Sequence, residues 1–112
     1  MVRVRCKVLK TFREQLWGLM FSKRVHEPLL FVLPTPRRFA IHSLFCPHFD
    51  AVFLDAQRRV IDVFAVRSIR LWIRPRRVAL YLVEGPPGFG SGLKEGHAVG
   101  VDVDGAWLDV DR

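Results

Sequence analysis

Three side chains that can bind zinc follow one another at even spacing in the middle of the chain: His42, Cys46 and His48. In an uninterrupted strand, residues an even number of positions apart point to the same side, so the three could share one face. Pro47 interrupts such a strand, however, and a structural zinc site normally takes four protein ligands. We therefore expect histidines at the end of a strand here, and neither a bound metal nor any other cofactor.

Carboxylates suited to acid–base catalysis occur at Asp50, Asp55 and Asp62. Such catalysis needs two groups with well-separated pKa values, whereas turn and edge-strand positions explain these aspartates more simply. Cys46 has histidines nearby, but nothing in the sequence lowers the pKa of its thiol. The sequence therefore predicts no catalytic residue. It favours a non-enzymatic protein. A metal-dependent hydrolase ranks third, after the binding module and the nucleic-acid-binding module described below.

The stretch IRLWIRPRR, residues 69–77, combines cations with an aromatic side chain. If it is a strand, its aliphatic residues point inward and leave an outward basic and aromatic face, extended past Pro75 by one more arginine: Arg70, Trp72, Arg74 and Arg76. Arginines contact phosphates and tryptophan stacks on bases, so this face predicts an anion or nucleic-acid site. The alternative is a tryptophan covered by arginine stems on a solvated face.

The charge of the chain is strongly positive and unevenly distributed. There are 18 Lys and Arg against 11 Asp and Glu, a net charge of +7. Residues 1–77 hold 16 of the basic residues and 5 of the acidic ones. This asymmetry could draw an anionic partner to one face. Alternatively, the acidic C-terminal part folds back beside the basic strands.

The chain of 112 residues is long enough for one domain with a real core, which we assign to residues 1–112. Its apolar runs, such as 29–33, are too short to span a membrane, and no signal peptide is recognisable, so we expect a cytoplasmic protein. A reducing compartment would leave Cys6 and Cys46 as small buried side chains, although a bridge between them stays open. The absence of Asn fits a thermophilic source.

Short apolar or alternating runs predict about eight strands, at 2–8, 29–33, 38–46, 51–54, 60–66, 69–74 and 78–83 and in the arms of 101–110. Residues 51–66 should form a hairpin with a polar tip and four largely buried side chains: Phe53, Leu54, Ile61 and Val63. Thr11 and Glu14 have capping-box spacing and predict a short helix to about Phe21. Residues 91–95 could add one helical turn. The pattern is typical of an all-β sandwich or barrel with one or two short helices.

Several motifs occur in a recognisable order: GLMF at 18–21, LLF at 29–31, FDAVFLD at 49–55, RVID at 59–62 and YLVE at 81–84, followed by a glycine-rich stretch. In this order they resemble the uncharacterised domain-of-unknown-function family numbered 192, over residues 3–103. Residues 41–45, IHSLF, are similar to an archaeal-looking branch of that family. The resemblance implies a compact jelly-roll-like β-sandwich with short helical pieces, and no established activity or cofactor.

Taken together, these features predict a small soluble binding or interaction module. A nucleic-acid-binding module that uses the basic and aromatic stretch is the alternative. The sequence indicates no partner other than an anionic ligand or nucleic acid, and it does not specify an oligomeric state.

Overall fold

The computed structural model describes residues 2–9, 25, 27–44 and 46–110. They form eight strands: β1 Val2–Arg5, β2 Lys7–Leu9, β3 Leu29–Arg37, β4 Phe49–Leu54, β5 Val60–Val66, β6 Ala79–Gly85, β7 Val99–Asp102 and β8 Trp107–Val110. The described ranges contain no helix, and therefore none that could cross a membrane. The helix predicted from Thr11 to Phe21 lies outside these ranges. The helical turn predicted at 91–95 is wrong, because Gly92 has a φ of 84° and ends a turn there.

The strands form two sheets. The smaller sheet has the order β1-β8-β7 and is antiparallel throughout. The larger has the order β2-β3-β6-β4-β5, in which only β2 and β3 run parallel. The chain passes from one sheet to the other at Cys6, whose N–H donates to the carbonyl of Ala106 at 2.9 Å. The single strand predicted at 2–8 is thus two short strands in different sheets.

The predicted hairpin at 51–66 is confirmed. β4 and β5 pair antiparallel, from Phe49 opposite Val66 to Leu54 opposite Val60. At the tip, the Asp55 carboxylate accepts hydrogen bonds from the N–H groups of residues 57 and 59 at 2.9 and 3.0 Å. The two arms predicted within 101–110 also pair antiparallel, as β7 and β8.

The end predicted for the strand at 29–33 is wrong, because β3 continues through Pro34 and Pro36 to Arg37. Proline has no N–H to donate to a β-ladder, and at these two positions the ladder requires no such donor. The pairing of β3 with β6 shifts register between Val32 and Arg37, so the prolines lie in an irregular, exposed stretch of the strand.

Both faces of the larger sheet are buried. One face shares a core with the smaller sheet, which includes Leu30, Val83 and Leu108. The other face has an aromatic core that includes Phe31, Phe49, Phe53, Phe39 and Phe64. Because β4 is an inner strand between these two cores, all six of its residues are buried.

Phe53 is the centre of the aromatic core. It is fully buried, and its ring lies 5.4 Å from that of Phe39 and 5.8 Å from that of Phe64. Leu54 and Ile61 are also buried as predicted, whereas Val63 is only partly buried.

We expect Phe53→Ala to lower the free energy of unfolding by about 3 to 5 kcal/mol, through lost burial and the cavity left behind. Urea unfolding followed by circular dichroism measures this loss. Ile69→Ala is the matched control, since that side chain is 70% exposed and should change stability by less than about 0.5 kcal/mol. A loss below about 1 kcal/mol for Phe53→Ala would contradict the central position of this ring.

Candidate binding surface

Residues 67–78 connect β5 to β6, and we call residues 67–77 of this connection the arginine arm. It runs along residues 38–44 without forming a regular strand. The strands predicted at 38–46 and 69–74 are therefore both wrong over their described residues. One reciprocal backbone pair joins Ile41 and Ile73, at 2.8 and 2.9 Å. A further bond runs from the N–H of Ser43 to the carbonyl of Arg70, at 2.8 Å.

The spacing of these backbone bonds explains why the strands fail. One residue separates Ile41 from Ser43, whereas two separate Arg70 from Ile73, namely Leu71 and Trp72. An extra residue on one side is a β-bulge, and it breaks the alternation of side chains. Both residues of the bulge therefore face solvent.

Three large apolar side chains of the arm are exposed as a result. Ile69 is 70% exposed, and Leu71 and Trp72 are each 68% exposed, while Ile73 is buried. The inward orientation predicted for Ile69 and Leu71 is wrong. The outward orientation predicted for Trp72 agrees with its exposure, although a bulge and not a strand produces it.

Ser43 fixes the backbone of the arm. Its buried hydroxyl donates to the carbonyl of Ser68 at 3.0 Å and accepts from the N–H of Arg70 at 2.7 Å. The N–H of Ser43 also donates to the carbonyl of Arg70, so Ser43 fixes two positions of the arm, Ser68 and Arg70. A buried serine in this role has no local sequence signature, because its partners lie 25 and 27 residues away.

The predicted anion-site residues Arg70, Trp72, Arg74 and Arg76 differ in their contacts. Arg70 lies over the ring of Phe64, at 5.5 Å from the ring centre. The Nε of Arg74 donates to the carbonyl of Arg38 at 3.2 Å. Arg76 is ion-paired with Asp62 at 2.7 Å and with Glu95 at 3.2 Å, so its charge is already compensated. The predicted alternative placed arginine stems over Trp72. The guanidinium of Arg70 instead covers Phe64.

Asp50 anchors the start of the arm. It is 3% exposed, on the inner strand β4, so the turn or edge position predicted for it is wrong. One carboxylate oxygen accepts from Arg67 at 2.7 Å, and the other accepts from the N–H groups of Gly88 and Gly90 at 3.0 and 2.9 Å. Asp50 is therefore a fully hydrogen-bonded structural carboxylate. Asp55 and Asp62 lie at a turn and on the edge strand β5, as predicted.

The three weak zinc candidates are not arranged as metal ligands. The Nδ1 of His42 accepts from the N–H of Leu44 at 3.1 Å, and the thiol of Cys46 donates to the carbonyl of Leu44 at 3.5 Å. His48 is exposed. Among the described residues, no group of three or more His, Cys, Asp or Glu side chains could hold a metal ion.

Both cysteines are free thiols. Burial raises the pKa of Cys6 to about 11. Burial and then the nearby charge of Glu84 raise the pKa of Cys46 to about 11 as well. Neither thiol is therefore activated as a nucleophile at neutral pH.

Glu84 is a buried acid that the sequence pattern did not single out. It lies on β6 opposite Leu29 and Ala51, two residues of the aromatic core. Burial raises the pKa of its carboxyl to about 8. Glu84 is thus mostly protonated at neutral pH.

The acidic C-terminal part folds back onto the basic part, as one of the two sequence interpretations expected. Asp109 on β8 pairs with Arg3 on β1 at 3.0 Å, and this contact lowers the pKa of Asp109. Glu95 pairs with both Arg76 and Arg77. The charge asymmetry along the sequence is therefore partly cancelled in space.

The comparisons with known proteins agree with this fold. A family model described as DUF192, "Uncharacterized ACR", matches residues 1–101. The chain belongs to the DUF192 family. A UPF0127 protein of Thermococcus kodakarensis is 38% identical over 87 residues, 75% of this chain and 55% of the relative. One of Pyrococcus abyssi is 33% identical over 93 residues, 80% of this chain and 78% of the relative.

These relatives come from Thermococcales archaea, which confirms the archaeal character predicted for this DUF192 chain. The chain spans little more than half the length of the Thermococcus kodakarensis relative. Among solved structures, a Novosphingobium aromaticivorans protein of unknown function has a TM-score of 0.76 at 23% identity, over 83% of this chain and 71% of that one. A putative transcription regulator from Sinorhizobium meliloti has a TM-score of 0.74 at 18% identity, over 84% and 88%. At these identities the likeness concerns the fold alone.

The raised pKa of Glu84 predicts that stability falls with pH. Between an unfolded pKa of about 4.5 and a folded pKa of about 8, the folded chain keeps a proton that the unfolded chain loses. Below about pH 4.5 Glu84 is protonated in both states and the free energy of unfolding is highest. As pH rises from about 4.5 to about 8, the free energy of unfolding falls by about 1.4 kcal/mol for each pH unit crossed. Urea unfolding of Glu84→Gln should lack this fall, whereas the exposed control Glu95→Gln should retain it. Identical pH profiles for wild type and Glu84→Gln would contradict the assignment.

We expect purified protein to contain far less than one equivalent of zinc and to keep its melting temperature in chelator, because its core folds without a metal. Elemental analysis and thermal unfolding with and without chelator measure this. Stoichiometric zinc that is lost in the double variant His42→Ala/His48→Ala would contradict the prediction and favour the hydrolase interpretation.

Proposed function

We propose that this DUF192 protein is a non-catalytic binding module that contacts an anionic partner through the arginine arm. The observation that carries the proposal is the exposure of Ile69, Leu71 and Trp72, at 68 to 70%, on a backbone fixed by hydrogen bonds. Clustered large apolar side chains at a surface mark interaction sites. These residues are exposed because of a bulge and not because the segment is loose.

The charges around the exposed cluster support an anionic partner. Arg67, Arg76 and Arg77 have carboxylate partners. Arg70 and Arg74, on either side of the bulge, have none among the residues that the structure describes. Their positive charge is therefore available to a partner, and it would act at the same place as the apolar contact.

Nucleic acid is the second candidate partner. Trp72 is 68% exposed and stands two residues from Arg70 on one side and from Arg74 on the other. This is the combination of a stacking surface and phosphate contacts that single-stranded nucleic acid requires. Of the four predicted residues, Arg76 contributes least, because Asp62 and Glu95 already compensate its charge.

The remaining assignments are proposals of the same kind. We propose one domain over residues 1–112 and a jelly-roll-like sandwich, which the core shared between the two sheets supports. The parallel pair β2–β3 departs from a purely antiparallel arrangement. The two free thiols support a cytoplasmic location. The raised pKa of Cys46 speaks against thiolate catalysis.

The binding function is tested by titrating the protein with single-stranded DNA and RNA, followed by fluorescence at about 50 mM salt, where phosphate contacts are strong. Affinity should fall with salt by about 0.7 log units per decade for each phosphate contacted. Arg74→Ala should lower this slope, whereas Arg58→Ala, at the exposed tip of the β4–β5 hairpin, should not. Trp72→Ala should cost about 1 to 3 kcal/mol per stacked base at nearly unchanged slope.

Absence of binding into the high micromolar range would remove nucleic acid as the partner. The arm variants must also be tested for folding. Trp72→Ala and Arg74→Ala should each change the free energy of unfolding by less than about 0.5 kcal/mol, because their side chains are exposed. A larger loss of unfolding free energy would show that these side chains stabilise the fold, which contradicts a role in binding alone.

A further inference from the structure

A small concavity lies where the arginine arm begins. One wall comes from Ser43 and residues 46–48, and the other comes from residues 66–69 at the end of β5. It has a volume of about 140 Å³ and is lined by Ser43, Cys46, Pro47, His48, Val66, Ser68 and Ile69. Ser43 holds the two walls together through its bonds to Ser68 and Arg70, so the shape of the concavity is fixed by the fold.

The size of the concavity suits a single six-membered ring. A closed apolar cavity of about 150 Å³ accepts one benzene molecule, so this open concavity has room for one ring with its edge in solvent. Apolar surface comes from Pro47, Val66 and Ile69, while His48 and Ser68 add polar side chains at exposed positions. This mixture suits a ring that carries a polar group, as in the side chain of tyrosine.

The surroundings of the concavity favour a peptide over a nucleic acid. Ile69 belongs both to the wall of the concavity and to the exposed cluster, which continues to Leu71 and Trp72. Aliphatic side chains need apolar surface opposite them, which a peptide provides and a phosphate backbone does not. Arg70 is adjacent to Ile69 in the chain and supplies positive charge, and none of the described residues that line the concavity is a carboxylate.

We infer that the concavity holds one aromatic side chain of a partner protein, whose flanking acidic residues contact Arg70 and Arg74. This inference rests on the proposed function and names the partner of the same surface. A ring buried in a fixed pocket, with charges at its edge, is the usual arrangement of an energetic anchor at a protein interface.

The concavity itself is tested with a small probe. Phenol is titrated into the intact, isotope-labelled protein and followed by amide NMR spectra, with cyclohexanol as a non-aromatic ring of similar size. Phenol should shift the amides of residues 43, 44, 46, 48 and 66–69 more strongly than cyclohexanol does. No shift there, or equal shifts with both compounds, overturns the assignment of an aromatic ring.

The flanking charges are tested with short capped peptides of sequence EEYEE, EEAEE and KKYKK. We expect EEYEE to bind about tenfold or more tightly than either of the others, as a buried aromatic anchor and charge complementarity require. Equal affinities of EEYEE and EEAEE overturn the ring assignment. Equal affinities of EEYEE and KKYKK overturn the role of the arginines.

A variant that fills the concavity provides the matched control. Ser68→Tyr should remove the preference for EEYEE over EEAEE, whereas Ser91→Tyr, in an exposed turn elsewhere, should retain it. If Ser68→Tyr does not fold, Ile69→Ser serves instead: it removes one apolar wall at a residue that is 70% exposed and should weaken phenol binding. Unchanged binding by the variant that folds overturns the inference.

The outcomes separate this inference from the proposed function. If phenol and EEYEE leave the concavity unaffected while Trp72→Ala still weakens oligonucleotide binding, the binding function stands and the peptide assignment falls. If an oligonucleotide displaces phenol and binds more tightly than EEYEE, nucleic acid replaces the peptide as partner. Shifts confined to the concavity with EEYEE, lost in Ser68→Tyr, support the inference.

Discussion

The carboxylate of Asp50 lies inside the molecule, where an unpaired charge would cost several kcal/mol. Three donors from two other segments surround it: the guanidinium of Arg67 and the N–H groups of Gly88 and Gly90. The donors can approach only if both segments lie against β4. Glycine at position 90 also permits this close approach, since a Cβ there would lie 2.5 Å from the Val63 side chain and would have to displace it. One buried charge thereby fixes the loop after β6 and the first residue of the arginine arm.

The elements that were predictable from sequence are those whose determinants are local. The hairpin β4–β5 has its turn residue, Asp55, between two apolar runs, and its carboxylate bonds to N–H groups two and four residues away. The failures are elements whose conformation depends on a distant strand. Pro34 normally indicates the end of a strand, yet β3 continues because its pairing with β6 is irregular at that place. The break at Cys6 likewise depends on Ala106, which no local pattern reveals.

The same reasoning explains which parts of the candidate site were predictable. The concentration of arginine around Trp72 is visible in the sequence, and so is the potential for anion binding. Strict alternation, however, assumes a regular strand, and the bulge at Leu71 and Trp72 arises from pairing with Ile41 and Ser43. Similarly, Arg76 is compensated by carboxylates 14 and 19 residues away. Sequence reasoning therefore found the composition of the surface but not its geometry.

The geometry of the arm bears directly on function because the segment is fixed along its length. Arg67 is bonded to Asp50 at one end, Arg76 to Asp62 at the other, and Ser43 holds the backbone between them. A connection that served only to join β5 to β6 would place polar side chains at its solvent-facing positions. Here three of the exposed positions, Ile69, Leu71 and Trp72, hold large apolar side chains on a backbone fixed by hydrogen bonds. Binding of the proposed partner to such a surface would require little further ordering of the arm, so that the fold itself would meet much of the entropic cost of recognition.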